Sequence, residues 1–597
     1  MDNVAEPGLC DPVTLEIVKG SLRAAQTEME ALLERTAMSP VIREKKDYFA
    51  GFFDPAGKLV AGTNLPIFGH IVEPFFDYYP SQTMRSGDIY WYNDCYASKG
   101  GVSHSPDQVF VMPVLFDGQL AGFSQSWAHF KDIGGAWPGS MSPQATDIYQ
   151  EGIIIPPVRL AREGVMNDEI ARIFLRNGRF PDEQQGDLRA LTAAVKLGER
   201  RFLELFERFG RDVVNDALRR LNAQTREAVV KQLRSTFRPG RHSFTDQVDS
   251  DGLGHGPFAI RFDMEVTHDR IAIDTSRSDP QAQGPVNFLM SPAVPRMVFG
   301  IYALANDPSL MLNEGAMHAV DEVVVKPGTI VQPHFPAPLN QRGLTLLRVQ
   351  ATCTGLMNVA SGGQAPAATN AYAIIFLRGY DPATKKPFLL SDGIGVGHGA
   401  RPFADGHDAV YYVAQENTPA EFMDQVYPAR LVRYAMHCDS GGPGQWRGGC
   451  GVVREIEWLG EDATLAVRLD GMLNPPWGVA GGQSGRPGRA TINPGRPDER
   501  VLDGPLTDGT IVRRGDVVRI ETGGGGGWGH PFDRDVAHVL DDVLGGYVSV
   551  AGARDDYGVV IDPATQAIDT AATAALRRDH RPTAKLFHRR EYRDAMV

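Results

Sequence analysis

The stretch SHSPDQVFVMPVLFDGQLAGFSQSWAHFKD, residues 103–132, decides how the N-terminal half is read. Asp117-Gly118 stands between two apolar runs, the pattern of a two-residue hairpin turn, because both central positions need a backbone that Asp and Gly tolerate. With these two as the turn, position 106 faces 129 and 107 faces 128. Cross-strand neighbours lie about 5 Å apart, so His104, Asp107 and His129 gather at one end of one hairpin. A bulge would move the register by one residue without scattering the group. Along the second strand Phe123, Gln125, Trp127 and His129 share a face, which gives His129 bulky neighbours.

The hairpin end carries two His-x-x-Asp pairs, HSPD (104–107) and HFKD (129–132). Two imidazoles with a carboxylate suit zinc, manganese or iron and leave coordination positions open. A lone histidine beside a strand is more often structural, and one such pair arises by chance in many chains. Convergence of two pairs at one hairpin end sets this segment apart. Asp132 has two readings: a polar group of the site, or a cap for the turn that leads into Ile133-Gly134-Gly135.

Working outward, Asp11-Pro12 reads as a cap and first-turn proline of a helix to about Thr36. Short strands follow to about residue 160, including IYWYN (89–93). Residues 187–236 are helical in pattern, with Gly210 separating two helices. Beyond Pro239 the texture is of strands with Gly and Pro punctuation, and VVREIEWLGEDATLAVRLDG (452–471) reads as a hairpin. These patterns predict an α+β, multidomain chain, strand-rich, with long helices near the N-terminus and around 187–236. Three regions are expected: 1–238, an α+β metal-binding region; 239–535, strand-rich; and 536–597, helical then irregular.

Composition narrows the function. A net charge of −13 opposes nucleic-acid binding, which needs a basic surface. The five cysteines are scattered without a CxxC, so neither a zinc ribbon nor a disulfide framework is expected, and a reducing cytoplasm is the simplest home. No run approaches the roughly 20 apolar residues that span a membrane. The run Gly523–Gly527 lacks a following Lys-Ser/Thr and reads as a packed turn rather than a phosphate loop. Asp47, in REKKDYF, has four charged neighbours and by composition reads as a solvated acid. No Gly-x-Ser-x-Gly nucleophile elbow is present.

The motifs DPVTLEIVKGSL (11–22), REKKDYF (43–49), SHSPD (103–107), HFKDIGG (129–135), EGIIIPP (151–157), SGGPGQWRGGCGVVRE (440–455) and TGGGGGWGHPFDRD (522–535) run in order along the chain. With them the sequence resembles the hydantoinase B/oxoprolinase family. That family includes B-type subunits of ATP-dependent hydantoinases and caprolactamase, part of 5-oxoprolinase, and acetone and acetophenone carboxylase subunits. The resemblance implies a divalent metal, manganese or zinc, held by Asp47, His104, Asp107 and His129. It makes Asp132 a candidate either to support the ligands from behind or to face the substrate, where it would be the base for water. It also implies an A-type ATPase partner that binds ATP and Mg, in a hetero-oligomer such as a dimer of heterodimers.

The activity implied is ATP-dependent hydrolysis of a cyclic amide (hydantoin, oxoproline or lactam) through a phosphorylated intermediate. The alternatives are a subunit of a ketone carboxylase and a non-catalytic scaffold for the A-type partner. The chain departs from the common family pattern in NDCYASKGGVSHSPD (93–107), at Cys95, Ser98, Lys99 and Ser105, and in having His530 after the glycine run.

Overall fold

The structure, a computed structural model, describes residues 9–63, 69–305, 307–371, 373–381, 384–411 and 415–589, and elements are counted among these. The chain forms two compact units. The first comprises Met1–Thr236, His268–Ile273 and Asn287–Arg342, and the second Phe237–Thr267, Asp274–Val286 and Gly343–Val597. The first break falls near the expected boundary at 238. The three successive regions are nonetheless replaced by two interleaved units, because residues 287–342 return to the first. The helical tail belongs to the second unit, where Val539, Val548, Ala553 and Tyr557 form a small core of their own.

The first unit is built on an antiparallel sheet of strands β1 (Tyr48–Phe53), β2 (Leu59–Gly62), β3 (Ile89–Tyr92), β4 (Asp107–Phe116), β5 (Gln119–His129), β6 (Val158–Arg162) and β7 (Val165–Met166). Their spatial order is β2-β1-β5-β4-β3-β6-β7. Helix α1 (Pro12–Thr36) starts where Asp11 accepts hydrogen bonds from the Val13 and Thr14 amides. Its buried residues Leu15, Val18, Leu22, Met29 and Leu33 recur at helical spacing and form one stripe. Beyond α2 (Pro40–Arg43) and α3 (Asp168–Asn177) come α4 (Pro181–Phe209) and α5 (Arg211–Thr236). α4 begins earlier than the periodicity suggested, at a proline suited to a first turn.

Alternation along the strands divides the sheet's faces. Ala50, Phe52 and Val114 pack with α1 residues and with Phe202 and Phe206 of α4. Each such fully buried large side chain contributes about 1.5–3 kcal/mol relative to exposure. The opposite face carries Phe49, stacked on Trp127, and Tyr90 and Tyr92, which meet Phe75. This second face also leads to His129.

In the second unit the hairpin reading of 452–471 is corrected. Val452–Trp458 pairs with Ala429–Met436 and Val517–Glu521, whereas Ala463–Leu469 pairs with Ala373–Tyr380 and Leu506–Val512 in another sheet. Periodicity identifies a strand's buried face but not its partner. Here Ile456 and Trp458 from one sheet share a core with Leu465 and Val467 from the other, which is the packing of a sandwich.

The glycine run is neither a phosphate loop nor a turn, and none of Gly523–Gly527 takes a positive φ. The amides of Gly524, Gly525, Gly526 and Gly527 donate to the carbonyls of Arg486, Gly449, Ala368 and Gln483. The carbonyls of Gly523, Gly525 and Gly526 accept from the amides of Gly397, Gly442 and Ala400. The run is therefore an extended segment bonded around its circumference to several chain segments, with four of its amides already committed. A Cβ on Gly525 would lie 2.1 Å from the His398 carbonyl oxygen, and one on Gly526 would lie 2.0 Å from that of Trp477.

Candidate metal centre

The hairpin turn is where the sequence puts it, with Asp117 at φ 50° and Gly118 at φ 71°. Phe116 faces Gln119, and Leu115 faces Leu120. A bulge between Val114 and Leu115 then shifts the register, so Val114 faces Gly122 and Asp107 faces His129 directly. On the other side of β5, Tyr48 pairs with Ala128, and the His129 amide donates to the Asp47 carbonyl at 3.0 Å. Asp47, His129 and Asp107 thus form a row across three adjacent chain segments.

His104 reaches the row through the turn that precedes β4, where the Asp107 amide donates to the His104 carbonyl at 3.2 Å. Asn93 Nδ2 donates to the Ser105 carbonyl at 2.8 Å, and Gln108 Nε2 donates to the same oxygen at 2.9 Å. Gln108 is held in turn by Trp91 Nε1. The loop's shape is therefore locked by side chains from β3, β4 and the residue after β3.

Candidate ligand atoms of His104, Asp107 and His129 lie within 4.8 Å of one another. His104 Nε2 is 3.1 Å from Asp107 Oδ1, and the two imidazole centroids are 4.8 Å apart. Asp47 is outside this group of three, although its backbone adjoins His129.

Burial, followed by the His104 ring, holds the His129 pKa well below the ordinary histidine range, and the charges of Lys45 and Arg342 add to this. The neutral imidazole so favoured is the form that ligates a metal. Burial raises the pKa of Asp107, offset by Arg342 and His129. His129 Nδ1 is buried and has no hydrogen-bond partner. An orphaned ring nitrogen beside a second imidazole and a carboxylate is a costly arrangement on its own. The donor set fits a divalent metal.

The Asp132 carboxylate is fully engaged by the protein. It accepts the amides of Gly134, Gly139 and Arg179 at 3.0, 2.8 and 3.0 Å, and Arg179 Nη1 at 2.9 Å. A carboxylate has about four acceptor positions, so none is left for water. The catalytic reading of Asp132 gives way to the capping one: it closes the loop that follows β5.

Sequence reasoning missed Arg342 and Glu151. Arg342 Nη2 lies 3.9 Å from Asp107 Oδ2, and its Nε donates to Ser103 Oγ at 2.8 Å. Glu151 Oε1 accepts the Leu339 and Asn340 amides at 2.7 and 2.9 Å, fixing the segment that ends in Arg342. Glu151 opens the EGIIIPP motif, but nothing local in the sequence shows the partners of either residue, since both act across long chain separations.

Burial pushes the Glu151 carboxyl up to about 8, against the opposing effect of the two amides. A raised folded-state pKa contributes stability that is full below the ordinary value of 4.5 and is lost as pH rises through about 8. Glu151→Gln keeps the acceptor oxygen and removes the titration. Within that window the variant should gain on the wild type by about 1.4 kcal/mol per pH unit at most. Denaturant unfolding at several pH values measures this, and a pH-independent difference would contradict it.

The sequence profile of the hydantoinase B/oxoprolinase family matches residues 11–531. The chain belongs to that family. It is 31% identical over 597 residues to the beta chain of the caprolactamase of Pseudomonas jessenii, covering 96% of this chain and 99% of the relative. It is 29% identical over 595 residues to the B-type chain of a putative D-/L-hydantoinase of Pseudomonas sp. strain NS671, covering 95% and 98%.

Among solved structures, the ATP-dependent caprolactamase from Pseudomonas jessenii superposes with TM-score 0.83 at 27% identity, over 96% of this chain and all (100%) of that one. Nucleotide-free acetone carboxylase superposes with TM-score 0.82 at 18% identity, over 95% and 82%, a likeness of fold alone. This hydantoinase B/oxoprolinase member is therefore a multidomain chain of mixed helix and sheet, as expected. Among its described residues no helix is long and apolar enough to cross a membrane.

Proposed function

We propose that this chain is the metal-bearing component of an ATP-dependent cyclic-amide hydrolase that opens a hydantoin or lactam ring. The observation that carries the reading is the His104–Asp107–His129 donor set, held in order by a hairpin bulge and a locked loop. The names of the hydantoinase and caprolactamase relatives support the substrate class. Both relatives are named as one subunit of a larger enzyme, which supports a partner. We take that partner to be an A-type ATPase that binds ATP and Mg and phosphorylates the amide oxygen. A dimer of heterodimers is the assembly we favour.

His104, Asp107 and His129 would hold manganese or zinc, with Asp47, the residue before β1, as the fourth ligand. Such an ion supplies Lewis acidity when bound. The protein's own part is to keep both imidazoles desolvated and in place. Asp132 and Arg179 fix the loop behind them.

Co-expression with an A-type ATPase tests the proposal, with ATP hydrolysis and products followed on hydantoins, lactams and ketones, with and without bicarbonate. Ring-opened amide is the expected product. Bicarbonate-dependent carboxylation of a ketone would overturn the hydrolase reading in favour of the carboxylase one. Substrate turnover that survives loss of the donor set would favour a scaffold.

A further inference from the structure

Arg342 is nine-tenths buried, with its side chain 10% exposed, yet its guanidinium is only half engaged. Nε donates to Ser103 Oγ, and that is the one hydrogen bond of the group among the described residues. The approach to Asp107 Oδ2, at 3.9 Å, is an ion pair too long for a hydrogen bond. The outer nitrogens make no other hydrogen bond among the described residues, so their N–H donors are available to a ligand. The planar fork matches the spacing of two oxygens on a carboxylate, bicarbonate or phosphoryl group.

The surroundings point the same way. Lys45 and Arg342 both place positive charge on His129. Glu151 binds the amides of Leu339 and Asn340, so the segment carrying Arg342 is pinned rather than adaptable.

We propose that Arg342, anchored by Ser103, is the binding residue that grips an oxyanion of the substrate beside the His104–Asp107–His129 centre. This deepens the proposed function and rests on it for the identity of that centre. The shared chemistry is a group with two exposed oxygens. A phosphorylated amide oxygen would present it in the hydrolase, and bicarbonate would present it in a carboxylase.

The test uses the full chain loaded with manganese or zinc. Inorganic phosphate and, separately, bicarbonate are titrated calorimetrically into wild type, Arg342→Gln, Arg342→Lys and Ser103→Ala, with metal content measured on each. Arg342→Gln should weaken binding by about tenfold to a hundredfold at full metal content. Arg342→Lys should recover part of it, and Ser103→Ala should show a smaller loss. The probe that responds identifies the source of the oxyanion.

Equal affinity in wild type and Arg342→Gln would overturn the proposal, as would no binding of either probe by the wild type. Loss of metal in Arg342→Gln would also overturn it, by making Arg342 a support for Asp107. If histidine variants keep their metal while Arg342→Gln loses phosphate, the metal reading fails and the oxyanion site stands.

Discussion

His129→Ala should empty the centre of metal and stop turnover. The imidazole is the middle member of the row across three chain segments, and its ring lies 4.8 Å from that of His104. Removing it leaves one imidazole and one carboxylate of the described cluster, too few for tight binding of manganese or zinc. Even a residue that only orients a ligand costs about 10–100-fold in metal affinity, so loss of a ligand should exceed that. Lewis-acid stabilisation amounts to several kcal/mol, so activity should fall by about a thousandfold or more. Elemental analysis and turnover measure the two effects, and His104→Ala should behave alike. Asp132→Asn is the discriminating control. It should keep its metal and lose stability, because its carboxylate closes a loop. Full metal in His129→Ala would end the ligand assignment.

The second large effect is expected far along the chain from that centre. Gly525→Ala would drive a methyl group to 2.1 Å from one backbone oxygen and 2.2 Å from its carbon, at His398. Neither neighbour is a side chain that can swing aside, and both belong to the same hydrogen-bonded bundle. Overpacking of an adaptable core costs about 1–3 kcal/mol. Here the obstacle is backbone, and the cost should reach the exceptional range above about 4–5 kcal/mol. The second unit should then fail to fold at ordinary temperature, as thermal unfolding and limited proteolysis would report. Gly20→Ala makes the contrast: in α1 nothing lies within 4 Å of an added Cβ, and stability should rise by about 0.5–1 kcal/mol. Similar unfolding profiles for the two variants would refute the steric account.

The reach of sequence reasoning follows chain separation. His104, Asp107 and His129 were legible because one hairpin carries them all, and the turn signal of Asp117-Gly118 needs no knowledge of the rest of the chain. Even the bulge was foreseen as a one-residue slip, though not its place between Val114 and Leu115. Asp47 was suggested only by family resemblance, and it lies outside the cluster of three. Its own neighbours are charged, and its place comes from the pairing of β1 with β5. Arg342 left no trace, and Glu151 entered only as the first residue of the EGIIIPP motif without a role, since neither lies near its partners in sequence.

The glycine run was misread because hydrogen bonds to several distant segments have no local signature. The same limit affected the strands of 452–471, whose buried faces were legible while their sheets were not. The interleaving of the two units is likewise a property of chain return that no local composition reports.

The bulge gives the hairpin a spare residue, and it lies on one strand only. Val114 faces Gly122 while Leu115 faces Leu120, so Ala121 is the residue without an opposite number. Losing Ala121 would straighten the ladder and still leave Asp107 against His129. Losing a paired residue of β5 such as Ser124 could be absorbed in the same way, by drawing Ala121 into the ladder. β4 has no such reserve: a residue lost there would set Asp107 against Ala128, on the other side of the pleat, unless the bulge widened. Shortening should therefore be tolerated on β5 and punished on β4, which makes the two strands of one hairpin unequal in how freely their lengths can drift.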